Sequence, residues 1–242
     1  MPFADLPDAK IYYEEHGSGF PLLLIAPGGM RSAVPMWGNA PWDPIAHFSE
    51  QFRVIAMDQR NAGQSTGSIS ADDGWHTYAA DQLGLLDYLG IDQFHTAGMC
   101  IGGPYCLGLA AQAPERVRAT VLFQSIGLDD NRQLFFDMFD QWAQALAAGD
   151  QSDISESTWN AFRQRLFGGD FLFNLSVAQV EQIQTPSIIL CGADPYHPEV
   201  TSRTLARHLP EAVFVEHWKE PAAQPDARAA VMEFLLRHTP GR

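Results

Sequence analysis

Apolar positions along the chain alternate between two rhythms. Residues 21–26, Pro-Leu-Leu-Leu-Ile-Ala, form a short unbroken apolar run stopped by Pro27-Gly28-Gly29, as expected of a strand buried on both faces. Residues 53–57 and 93–97 repeat the pattern, ending at Asp58 and Gly98, and 117–123 and 187–190 extend it. Between these runs the spacing turns helical: 75–89 closes on Gly90, a C-terminal stop, and 104–113 precedes the fourth run. An early strand is read at 10–15, a late one at 212–216, and helices at 199–208 and up to about residue 238. Strands alternating with helices predict an α/β fold, with a mostly parallel sheet covered by helices on both faces.

Residues 127–184 break the alternation. They carry Phe135, Phe136, Phe139 and Trp142 at helical spacing, a second helical stretch at 158–167, and no convincing strand. The expected organisation is a core of 1–126 and 185–242 with a short helical cap inserted at 127–184. On base rates the aromatic stripe is the inward face of an amphipathic helix; it becomes a substrate wall if that face overlooks a site.

The composition narrows the function classes. With 15 basic and 29 acidic side chains the 242 residues carry a formal charge of −14, which repels phosphate backbones and anionic lipid, and there is no basic stripe. Nucleic acid and membrane are therefore not expected partners. No run approaches the roughly 18 apolar residues of a membrane span, and the first residues lack the basic start of a signal peptide. A cytoplasmic setting with reduced thiols is the expectation. Cys100, Cys106 and Cys191 show neither a CxxC spacing nor a Cys/His zinc pattern, so no metal is expected. The sequence leaves the oligomeric state open.

Gly98-Met99-Cys100-Ile101-Gly102-Gly103 carries the most specific chemistry, because it joins a predicted strand directly to a predicted helix. That is the pattern of a nucleophile elbow with cysteine in the usual place of serine. A tight strained turn has no room for side chains at the glycines and leaves the central residue exposed at a helix N-terminus, where the dipole favours thiolate. Cys106 and Cys191 have no such context and are read as small buried apolar residues.

On these residues the chain resembles the α/β-hydrolase superfamily over nearly its whole length. The elbow itself is similar to those of dienelactone hydrolases and of the much longer polyhydroxyalkanoate synthases. Pro27-Gly28-Gly29-Met30 looks like the oxyanion loop. Asp58-Gln59-Arg60-Asn61-Ala62-Gly63-Gln64-Ser65 is similar to the loop after the next strand, and Gly192-Ala193-Asp194 to the acid position. The resemblance implies Cys100 as nucleophile, the N–H groups of Ile101 and Gly29 as oxyanion donors, Asp194 as the acid, and a histidine beyond the last strand. His217 lies there, 23 residues after Asp194 but without the family's preceding glycine; His197, on the same loop as Asp194, is the rival base.

The expected activity is hydrolysis of a small-molecule carboxylic ester, thioester or lactone through a cysteine acyl-enzyme, with no cofactor. Met30, Met99, Phe135, Phe139, Trp142 and His197 are the candidate substrate contacts. Two alternatives stay open: an acyltransferase using the same thiol, and a non-catalytic ligand-binding relative without a competent histidine.

Overall fold

The computed structural model describes residues 2–241. Its strands are β1 (Phe3–Asp5), β2 (Ala9–His16), β3 (Phe20–Ile25), β4 (Phe52–Met57), β5 (Thr66–Gly67), β6 (Phe94–Met99), β7 (Val117–Phe123), β8 (Ser187–Leu190) and β9 (Ala212–Val215). They form one sheet in the order β1-β2-β4-β3-β6-β7-β8-β9, with β5 beside β2. From β4 to β9 every pairing is parallel, and the pairings of β2 with β1, β4 and β5 are antiparallel.

The apolar runs explain the layering. Successive side chains of β3 and β4 point to opposite faces, so Leu22, Leu24, Val54 and Ala56 enter one buried cluster while Leu23, Ile25, Ile55 and Met57 enter another. The first cluster is covered by α1 (Pro44–Ser49) and α8 (Gln224–Arg237), which contribute Phe48, Val231 and Leu235. The second is covered by α2 (Trp75–Tyr88), α3 (Gly102–Gln112) and α7 (Glu199–His208), through residues such as Leu85, Leu107 and Leu205.

Between β7 and β8 the chain forms α4 (Arg132–Ala147), α5 (Glu156–Phe167) and the short α6 (Val177–Val180). Their inward side chains, Phe135, Phe139, Trp142 and Phe162, are buried in the same cluster as α2 and α3. The helical segment therefore shares a continuous core with the sheet. Phe139, Trp142, Trp159 and Phe162 meet mostly edge to face, with centroids 5.3 to 6.3 Å apart.

Beyond β4, Asp58 holds its loop by accepting the N–H groups of Val34 (2.7 Å) and Gln64 (2.8 Å). Arg60 is clamped by Asp81 of α2 through two bonds of 2.8 and 2.7 Å, with side chains only 6% and 4% exposed.

Candidate active site

Cys100 sits between β6 and α3 with φ +61°, a left-handed conformation that an L side chain rarely adopts. The chain holds it there: its N–H donates to Phe123 O, and its carbonyl accepts the N–H groups of Gly103 and Ile126 at 3.1 and 3.2 Å. The turn is so tight that a Cβ on Gly98 would lie 2.4 Å from the carbonyl oxygen of Gly102, which is why glycine stands there. The half-buried sulfur is presented at the start of α3, facing the backbone N–H groups of Ile101 and Gly28.

Asp194 and His197 lie on one turn after β8. The turn is closed by mutual backbone bonds between these two residues, and Asp194 Oδ1 accepts the N–H groups of Tyr196 (3.0 Å) and His197 (3.1 Å). Both carboxylate oxygens stand 2.8 Å from His197 Nδ1, which fixes the ring and directs Nε2 the other way. Nε2 is buried and makes no hydrogen bond of ordinary geometry, although the Cys100 sulfur is near enough for each group to alter the other's titration. Resting-state contacts between nucleophile and base are commonly looser than those of a substrate complex. Asn131, buried ahead of α4, ties the turn down by donating to Pro195 O (2.8 Å) and Gly127 O (3.0 Å).

The electrostatics follow from this arrangement. Burial pushes the Cys100 thiol up, but the His197 ring and the N–H groups of Gly28 and Ile101 outweigh it and hold the thiol below its ordinary value. Burial pushes His197 down, and Cys100 and Asp194 together bring it above the ordinary imidazole value. Asp194 is raised by burial and more than compensated by His197 and the turn's N–H groups, so it is held low. All three directions favour thiolate, imidazolium and carboxylate side by side. Cys106, enclosed behind the elbow, is pushed up to about 12 by burial and carries no comparable chemistry.

His217 does not reach Cys100. It lies two residues past the end of β9 and is exposed, lining a separate groove with Gly192, Glu199 and Glu216. The inward position falls to Trp218, which is buried and donates Nε1 to Cys191 O at 2.8 Å. On the oxyanion loop it is the Gly28 N–H that faces the sulfur, while Gly29 lines the cavity beside it.

That cavity, of about 200 Å³, is lined by Gly28, Gly29, Cys100, Ile101, Ile126, Phe135, Met138, Tyr196 and His197. Of the expected contacts, Phe135 and His197 are on its wall. Met30, Met99, Phe139 and Trp142 are not among its lining residues: Met30 and Met99 pack into the two core clusters, and Phe139 and Trp142 join the aromatic group beneath α4. Ile126, Met138 and Tyr196 line it instead. Among the described residues no group of three or more His, Cys, Asp or Glu side chains is gathered as a metal ion would require, and no helix is long and apolar enough to cross a membrane.

A mostly parallel sheet with a cysteine on a strand-turn-helix elbow, a glycine loop facing it and a carboxylate after a later strand has the arrangement of the α/β-hydrolase class. The sequence model of the alpha/beta hydrolase fold matches residues 21–185, and the chain belongs to that family. It is 36% identical over 122 residues to a putative carbamate hydrolase RutD of Azorhizobium caulinodans, covering 50% of this chain and 43% of that protein. It is 35% identical over 115 residues to a 2-hydroxymuconate semialdehyde hydrolase of Pseudomonas sp. strain CF600, covering 47% and 39%. The chain thus spans about two fifths of the length of these curated relatives. Among solved structures, a meta-cleavage product hydrolase from Pseudomonas fluorescens IP01 superposes with a TM-score of 0.70 at 22% identity over 96% of both chains. The enol-lactonase from Burkholderia xenovorans LB400 gives 0.69 at 19%, over 97% of this chain and 100% of that one. At these identities the structural likeness is one of fold.

Proposed function

We propose that the protein is a hydrolase of small carboxylic esters, thioesters or lactones that works through an acyl-enzyme on Cys100. His197 is its acid and base, and Asp194 orients His197. The observation that carries this reading is the Asp194–His197 turn, whose imidazole is fixed by the carboxylate on one side and faces the elbow thiol on the other.

The reacting pair is thiolate and imidazolium, the forms that the lowered Cys100 and the raised His197 favour. The thiolate forms a bond to the acyl carbon, and the carbonyl electrons move onto oxygen, where the N–H groups of Ile101 and the Gly28–Gly29 loop receive the charge. Removing one such donor from other hydrolases slows them by an amount equivalent to about 2.7–4 kcal/mol, so these groups matter as much as the base. The bond to the leaving group breaks, and the proton on His197 Nε2 goes with it. Neutral His197 then takes a proton from water as the hydroxide adds to the thioester. The carbon–sulfur bond breaks, the acid departs, and thiolate and imidazolium are restored.

In this reading residues 127–184 are a cap over the 1–126 and 185–242 core. A reduced, low-pKa thiol fits a cytoplasmic setting. The nearness of the His197 ring to the elbow thiol supports turnover over a non-catalytic ligand-binding role. The test is intact-mass analysis after mixing with p-nitrophenyl acetate: one acetyl group on the wild type and none on Cys100→Ala is expected. Equal labelling and equal nitrophenolate release by both would overturn the proposal. Adding an alcohol or amine separates hydrolysis from acyl transfer by the product formed.

A further inference from the structure

Resting on that reading, we infer that the site takes a short, uncharged acyl group, up to about four carbons, and that Met138 sets the limit. The leaving group must receive its proton from His197, so it occupies the His197 side of the cavity. There the neighbouring Tyr196, also on the cavity wall, is 39% exposed. The acyl chain is left with the remaining apolar lining of Ile126, Phe135 and Met138.

That wall is close and apolar. Met138 of α4 lies against the oxyanion loop, where its sulfur would be 2.0 Å from a Cβ on Gly29, and it walls the cavity on that side. Phe135 is buried and braced by Phe167, Phe173 and Tyr196 at centroid distances of 4.6 to 5.6 Å, so it does not swing aside. The whole cavity of about 200 Å³ is below the ~300–1,000 Å³ of pockets for drug-sized ligands.

The wall also lacks a counter-ion for a carboxylate on the acyl chain. Its lining holds no arginine or lysine. Arg60 and Arg132, which are not on the wall, are engaged with Asp81 and with the carbonyls of Phe167 and Gly169. An anionic acyl group would be buried unpaired in a chain of net charge −14.

The experiment uses p-nitrophenyl acetate, butanoate, pentanoate, octanoate and hemiglutarate. Acylation rates of the wild type, Met138→Ala and Cys100→Ala are each normalised to the ester's rate with a simple alkanethiol. Adducts are located by intact mass. The expected result is fast acylation of Cys100 by acetate and butanoate, at least tenfold slower reaction with octanoate, and at least tenfold slower reaction with hemiglutarate than with neutral pentanoate. Met138→Ala is expected to raise the octanoate-to-acetate ratio at least fivefold, while the wild-type series stands without any variant. Adducts on Cys100 at rates independent of chain length or charge would overturn this inference alone. Failure of every ester to label Cys100 would overturn the acyl-enzyme reading and the inference with it.

Discussion

Replacing Asp194 by Asn separates two tasks of one carboxylate. Oδ1 shapes the turn by accepting two backbone N–H groups, while both oxygens engage His197 Nδ1 at 2.8 Å. An Asn side chain with its oxygen on the backbone N–H groups keeps the turn and removes the charge. The lost contact is a charge-assisted hydrogen bond, worth about 1.5–3 kcal/mol. Asp194 keeps 40% of its side chain in solvent, which weakens the interaction and favours the lower end of that range. A change of about 1.4 kcal/mol is tenfold in an equilibrium constant, so the thiolate–imidazolium population should fall, by up to about tenfold. The assay is the second-order rate of iodoacetamide alkylation of Cys100 at pH 6, which follows the thiolate. Asp194→Asn should alkylate more slowly than wild type, by up to about tenfold, with little change in Tm. Asp194→Ala, which loses the turn bonds as well, should be slower still and melt earlier. Wild-type alkylation by Asp194→Asn would refute the claim that the carboxylate acts on the sulfur through His197.

Other consequences are as direct. Cys100→Gly relieves the left-handed strain of about 1–2 kcal/mol, and at about 2–4 °C per kcal/mol for a chain of this size calorimetry should show a higher Tm with no acylation. Asp81→Ala leaves Arg60 buried without its partner, a loss of about 3–5 kcal/mol, and should lower the Tm by roughly 6–20 °C. Asn131→Ala should lower the pH 6 alkylation rate, because the acid–base turn loses its tie at Pro195 O; alkylation by unfolded protein in urea should not change. The low Asp194 carboxyl stabilises the fold above the unfolded carboxylate value and is lost as pH falls through the folded one. The raised His197 stabilises below the unfolded imidazole value and is lost as pH rises through its folded value. The Tm difference between wild type and Asp194→Ala should therefore be largest between about pH 4 and 6.5, and thermal melts across pH 2–9 check it.

The elbow was legible because three glycines around one cysteine, between a β run and a helical run, have few other physical explanations. The parallel strands were legible because burial on both faces leaves unbroken apolar runs; the short β1, β5 and α1 left no such run. Chain order favours His217, after β9, over its rival His197, yet it is His197 that lies beside the elbow cysteine. A local signal pointed the other way: Asp-Pro at the head of a turn favours closure, which brings a histidine three residues on back to the acid. The aromatic stripe misled for a different reason. Positions 135, 139 and 142 follow the helix face that enters the core, whereas the cavity is touched by 135 and 138, one turn apart on the adjoining face. Tyr196 and Ile126 carry no sequence pattern at all; only the meeting of loops puts them at the sulfur.

The central claim is that Cys100 works with His197. Its most direct test is the acetylation burst and subsequent turnover of p-nitrophenyl acetate by wild type, His197→Ala and His217→Ala, followed by nitrophenolate release and intact mass. The account predicts wild-type burst and turnover in His217→Ala, and loss of both in His197→Ala by a factor of about 10²–10⁴. Wild-type kinetics in His197→Ala, with the loss in His217→Ala instead, would contradict it.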